Sequence, residues 1–130
     1  MTKTVNWISC RYAIKDRMSY CPIGYALHEA GVPKKNLIAL GSRTIIGVVK
    51  QALGKPTELG NKLLIAQDLN DEYMCGKISP KVAYKDVKKL QKKHKNDWNL
   101  LVNRLKSIDF CNKVGILSSQ DSLDNLTCSI

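Results

Sequence analysis

The chain is poor in the residues that most often announce chemistry. It has two histidines, two tryptophans and one phenylalanine in 130 residues. No C-x-x-C or H-x-x-x-H pair occurs, so no spacing suggests a structural zinc site. No apolar run approaches the roughly 18 residues of a membrane span, and the opening MTKTVNWISCRYAIKDRM lacks the unbroken apolar stretch of an export signal. Five cysteines, Cys10, Cys21, Cys75, Cys111 and Cys128, are an odd number at irregular intervals. They fit reduced thiols in a cytoplasmic protein better than a disulfide framework. There is no internal repeat and no low-complexity block.

Acids are also scarce, 11 against 21 lysines and arginines. None is spaced as a general acid–base pair. Cys21, just ahead of a helix start, has the most reactive-looking cysteine setting. A nucleophile needs a base, however. His28 lies two turns along the same helix and faces away, and His94 sits in an apolar stripe. The stretch Gly54-Lys55-Pro56-Thr57 fails as a phosphate loop, because a proline separates Lys55 from Thr57 and no strand precedes it. These absences point to a protein that is not an enzyme, with no metal, no cofactor and no membrane partner.

What is present is positive charge, in one place. The net charge is +10. Residues 79–113 carry 10 basic side chains against 3 acidic ones, whereas residues 114–130 carry none against 2. Within this segment Ala83, Val87, Leu90, His94, Trp98, Leu101, Leu105 and Ile108 recur at intervals of three and four, one face of an α-helix. Lys81, Lys85, Lys88, Lys92 and Lys95 repeat in the same rhythm. At about 100° per residue they fall on the opposite side, and Lys89 and Lys93 widen the stripe. Ser79 as N-cap and Pro80 at the first helical position open the helix. The periodicity runs in phase through Asn96, so the spacing predicts one continuous helix over 80–109; a new helix capped by Asn96 is the alternative.

The rest of the chain reads as shorter helices. Trp7, Cys10 and Ile14 predict a helix over 4–18, although Val5, Trp7 and Ile8 would also suit a strand. Pro22 opens a helix over 22–30, which Gly31 and Pro33 end. VPKKNLIALG reads as a loop. Ser42 caps RTIIGVVKQAL, and Thr57 caps ELGNKLLIAQDL, which ends at Asn70-Asp71. The pair over 43–69 has the outline of a helix-turn-helix, but its second helix offers only Lys62 as a base, so a plain packed pair is expected. Trp7 and Trp98 read as core anchors. Tyr20, Tyr25, Tyr73 and Tyr84 are the pool from which a binding-face tyrosine would come.

The fold expected is all-α: a single compact domain over 1–114, four to five helices packed on one long basic amphipathic C-terminal helix, with 115–130 as a polar tail. Charge concentrated in this way suits a polyanion. Lysine is a point charge without arginine's fork, and Arg104 is the one arginine in the segment, so phosphate contact is favoured over base reading. No exposed aromatic is read between the lysines, which disfavours single-strand stacking. The expected partner is therefore nucleic acid of low sequence specificity, bound through Lys81, Lys85, Lys88, Lys89, Lys92, Lys93 and Lys95. The alternatives are an inhibitor or adaptor docking an acidic protein surface, and a nucleotide-sequestering protein. The last would use helix N-termini at Pro22 or at Ser42-Arg43, the one candidate phosphate site.

At Cys21–Gly31 (CPIGYALHEAG), at Leu69-Asn70-Asp71 and at Asp86-Val87, the chain resembles small helical proteins of tailed phages and bacteria. These have a C-x-x-G-x-x-L helix, an N-D turn and a final helix. The likeness covers about 65 residues; the lysine-rich last helix and the tail depart from it. It implies an α fold and a phage or bacterial setting, with the host cytoplasm as location, and no activity.

Overall fold

The structure, a computed structural model, describes residues 5–8, 11–15, 18–41, 43–73 and 80–116, the side chains of 71–73 excepted. The described residues are mostly helical, as expected. Six helices are α1 (Pro22–Glu29), α2 (Lys34–Ala39), α3 (Ile45–Leu53), α4 (Glu58–Tyr73), α5 (Pro80–Lys93) and α6 (Lys95–Leu105), and a seventh, α7, covers 108–116. No helix among the described residues is long and apolar enough to cross a membrane. Helix α4 packs against α3 and α5, α1 packs on α5 and α4, and α6 lies on α3. Their buried residues form one cluster running from Tyr12 to Val114, with Trp98, Ile23, Leu27, Leu59, Leu63 and Leu101 among its largest members.

The first difference from the sequence reading is at the start. The helix expected over 4–18 is replaced by two short strands, β1 (Asn6–Trp7) and β2 (Ser19–Tyr20), paired in parallel with Trp7 opposite Tyr20. The β-branched and aromatic residues Val5, Trp7 and Ile8 favour extended backbone. The spacing of Trp7, Cys10 and Ile14 mimicked a helical face without caps to support it. Trp7 is half-buried in consequence, whereas Trp98 is fully buried.

Helix α1 starts at Pro22 as expected and ends at Glu29, with Ala30 as its C-cap, and its sequence motif acquires a physical content. The Gly24 N–H donates to Cys21 Sγ at 3.2 Å, capping the helix. A Cβ at Gly24 would stand 2.0 Å from the Tyr12 carbonyl oxygen, so only glycine lets the two backbones approach this closely. Leu27 is fully buried. Gly31 has a φ of 114°, the left-handed conformation expected after the helix end. Helix α2 falls where a loop was read: Pro33 occupies its N-cap, and Leu37 is buried. Asn36, also buried, donates Nδ2–H to the Leu105 carbonyl at 2.8 Å.

Helix α3 starts at Ile45 with Thr44 as N-cap; Ser42, the expected cap, lies outside the described residues. The Ile45 N–H is satisfied from another helix, by Gln67 Oε1 at 3.1 Å. Thr57 caps α4 as read, accepting from the Gly60 N–H at 3.1 Å. The Ser79 cap lies outside the described residues, and so does the tail beyond Ile116.

The second difference is a break in the long helix. The single helix expected over 80–109 is two, separated at His94, whose φ of −114° and ψ of 47° are non-helical. The break falls two residues before the Asn96 junction weighed from the sequence. The His94 N–H still donates to Leu90 O, and the Trp98 N–H to His94 O, each at 2.8 Å, so one helix ends and the other begins on the same residue. The flanking charges suit such a junction: Lys92 and Lys93 lie in the last turn of α5 and Asp97 in the first turn of α6. Cations favour a helix C-terminus and anions an N-terminus. The apolar stripe survives the break, with Ala83, Val87, Trp98, Leu101 and Leu105 all buried.

Candidate polyanion-binding face

Helix α5 carries six lysines and one aspartate in 14 residues. Ala83 and Val87 bury one side of it in the core. Successive positions rotate by about 100°, so Lys81, Lys85, Lys89 and Lys92 project from the far side, and these four and Lys93 are exposed. Lys95, exposed in the first turn of α6, continues the row beyond the break. Lys88 sits at the edge and is only half-exposed. Its Nζ is 3.9 Å from Glu29 Oε1 of α1 and 6.0 Å from the centre of the Tyr84 ring. An ion pair this exposed contributes little to stability, but it turns Lys88 toward α1.

Helix α4 adds a cation that the spacing along α5 could not reveal. Lys62 and Ile65 line a groove of about 270 Å³ opposite Asp86, Lys89 and Leu90.

The expected phosphate site at Ser42 and Arg43 has less to offer. Ser42 is outside the described residues. Arg43 is half-buried, and a Cβ at Gly47 would stand 2.5 Å from its Nε, so the guanidinium packs along the first turn of α3. The N-terminus of α1 is no more open: Pro22, Ile23 and Gly24 are buried there. Of the pair weighed for catalysis, Cys21 caps α1, and His28 shares a 3.0 Å hydrogen bond between Nδ1 and the Val32 carbonyl. Among the described residues, no group of three or more histidines, cysteines, aspartates or glutamates could hold a metal ion.

Beside the lysine face lies a feature the sequence reading missed. Trp7 of β1, Tyr25 of α1 and Tyr84 of α5 form a triangle of rings, with centroids 5.6–5.8 Å apart. The row continues through the buried Tyr20, 5.5 Å from Tyr25, to the exposed His28, stacked on Tyr20 at 5.2 Å. Lys34 Nζ stands 4.9 Å from the Tyr20 ring centre. The Tyr84 hydroxyl donates to Glu29 Oε1. Burial first, and then this acceptor's charge, hold that hydroxyl protonated well above the usual phenol range. Positions 7, 25 and 84 are too far apart in the chain for any periodicity to group them; only Tyr84, one residue before Lys85, carried a local hint.

The fold and this face define a small, mostly helical protein with a concentrated basic surface. No protein-family model, curated protein or solved structure matches the chain.

Proposed function

We propose that this protein binds nucleic acid as a polyanion, with low sequence specificity and without catalysis, through Lys81, Lys85, Lys89, Lys92, Lys93 and Lys95. The observation that carries the reading is the exposure of five lysines along α5, with Asp86 the one acid on that helix. Such a row concentrates positive potential where successive phosphates can meet it, and it lacks the bidentate donors that would read bases. Lys88, drawn to Glu29 and Tyr84, acts at the margin. The wider architecture belongs to the same proposal: one compact domain in which the remaining helices hold the basic helix by its apolar side. A phage setting, with host nucleic acid in the cytoplasm as target, rests on the sequence resemblance.

The test is affinity for DNA and RNA across a salt series. Contact with about five phosphates gives a slope of log affinity against log salt of about −3 to −5, and changing Lys85, Lys89 and Lys92 to Glu should remove most of it. Affinity that is flat in salt, or unchanged in the triple variant, would overturn the reading. An acidic protein surface offers the same charge; stoichiometric capture of one protein from nuclease-treated lysate, with no binding to purified nucleic acid, would favour the adaptor instead.

A further inference from the structure

We infer that the Trp7–Tyr25–Tyr84 triangle is a base-stacking platform beside the lysine face, so that the nucleic acid held there is single-stranded. This rests on the polyanion reading and narrows it. The three rings come from β1, α1 and α5 and touch one another at 5.6–5.8 Å. All three are half-buried, whereas Trp98, Tyr12 and Tyr20 are fully buried. Tyr25 and Tyr84 pack against the core with part of each side chain outside it, and the triangle leaves apolar surface in water at the border of the most basic helix.

The placement on α5 makes the two features one surface. Tyr84 lies three residues after Lys81, one before Lys85 and four before Lys88, and residues three and four apart are neighbours on a helix. Lys88 Nζ, 6.0 Å from the Tyr84 ring centre, joins the lysine row to the rings. Phosphates along the lysines would thus bring their bases within reach of the rings. A duplex hides its base faces in the stack and could use only the lysines. A single strand can use both, and base–aromatic stacking is indifferent to sequence because every base has a π-face. Glu29 touches the triangle at Tyr84, and its carboxylate is engaged by the Tyr84 hydroxyl and Lys88.

The chain has two tryptophans, so Trp98→Phe leaves Trp7 as the sole reporter. That variant is titrated with oligo(dT), with a duplex of equal length and with inorganic polyphosphate. Oligo(dT) should quench Trp7 emission, while duplex and polyphosphate should leave it unchanged. In the otherwise unaltered protein, Trp7→Leu or Tyr25→Leu should weaken oligo(dT) binding about tenfold and polyphosphate binding not at all, and Trp7→Phe should restore most of the loss. If Trp98→Phe does not fold, the quench is read as the difference between the unaltered protein and Trp7→Phe. Equal affinity for single strand and duplex with no Trp7 quench would overturn the platform and leave the lysine face standing. Loss of salt-dependent binding to all three ligands would overturn both.

Discussion

Cys111 shows how one buried side chain ties stability to pH. It is fully buried, its Sγ lies 3.2 Å from the Leu105 carbonyl, and burial pushes its thiol from the ordinary value up to about 11. Above pH 9 the unfolded chain releases a proton that the folded chain still holds, so stability is complete below pH 9 and falls as pH rises toward about 11. The loss is on the order of 2 kcal/mol. Urea midpoints measured from pH 7 to pH 11 should therefore be flat and then fall, with the drop reduced in Cys111→Ala. Tyr84 adds a loss of the same sign above pH 10, which Tyr84→Phe removes. An equal fall in both variants and the unaltered chain would exclude these groups as its source. Nothing in the sequence marked Cys111 for this role. Asn36 was equally silent: its amide donates to the same Leu105 carbonyl from 69 residues away, and contacts closed over that distance leave no local pattern.

At the scale of the element, the helices that could be read were those whose ends are set by local chemistry. Pro22 and Gly31 bounded α1, and Thr57 opened α4. Of the eight residues in the apolar stripe, Ala83, Val87, Trp98, Leu101 and Leu105 are buried, and Leu90, His94 and Ile108 are half-buried. What failed was continuity. A stripe that stays in phase cannot report whether one of its own members leaves the helix, and His94 does. Helix α2 was missed because its N-cap is a proline with no side-chain acceptor, and β1 was read only as the alternative to a helix because its register depends on Ser19 and Tyr20. The break has a direct signature. The first N–H groups of α6, at Lys95, Asn96 and Asp97, have no intrahelical acceptor. Their amides should exchange with solvent at least about a hundredfold faster than those of Leu101 and Val102. Uniform protection from Leu90 to Leu105 would restore the single helix.

The whole molecule carries its charge unevenly, and this has a cost apart from any ligand. Lys81–Lys85, Lys85–Lys89, Lys88–Lys92 and Lys89–Lys93 are like charges four residues apart, each pair opposing the helix by about 0.2–0.5 kcal/mol at low salt. Added sodium chloride should raise the melting temperature by a few degrees as it screens them. Inorganic polyphosphate should raise it further at equal ionic strength, because a ligand that binds only the native state adds to its stability. A melting temperature indifferent to both would mean that the lysines neither repel one another nor hold an anion. The lysine half of the candidate face could be read from the sequence because a helix repeats itself. The aromatic half could not, since Trp7, Tyr25 and Tyr84 meet only after β1, α1 and α5 have packed.

The close approach at Gly24 also bears on descent. A lysine face asks only for charge, so Lys81 to Lys95 can drift among lysine and arginine, or change order, with little penalty. Position 24 cannot drift, because any Cβ there would collide with the Tyr12 backbone, and position 115 is held in the same way by the Ala39 carbonyl, 2.2 Å from where a Cβ would stand. As lineages diverge, the surface that meets the ligand should lose its identity first. Distant kin of this chain would then be recognised by two fixed glycines, one following a helix-capping cysteine by three residues, long after the basic helix has become unrecognisable.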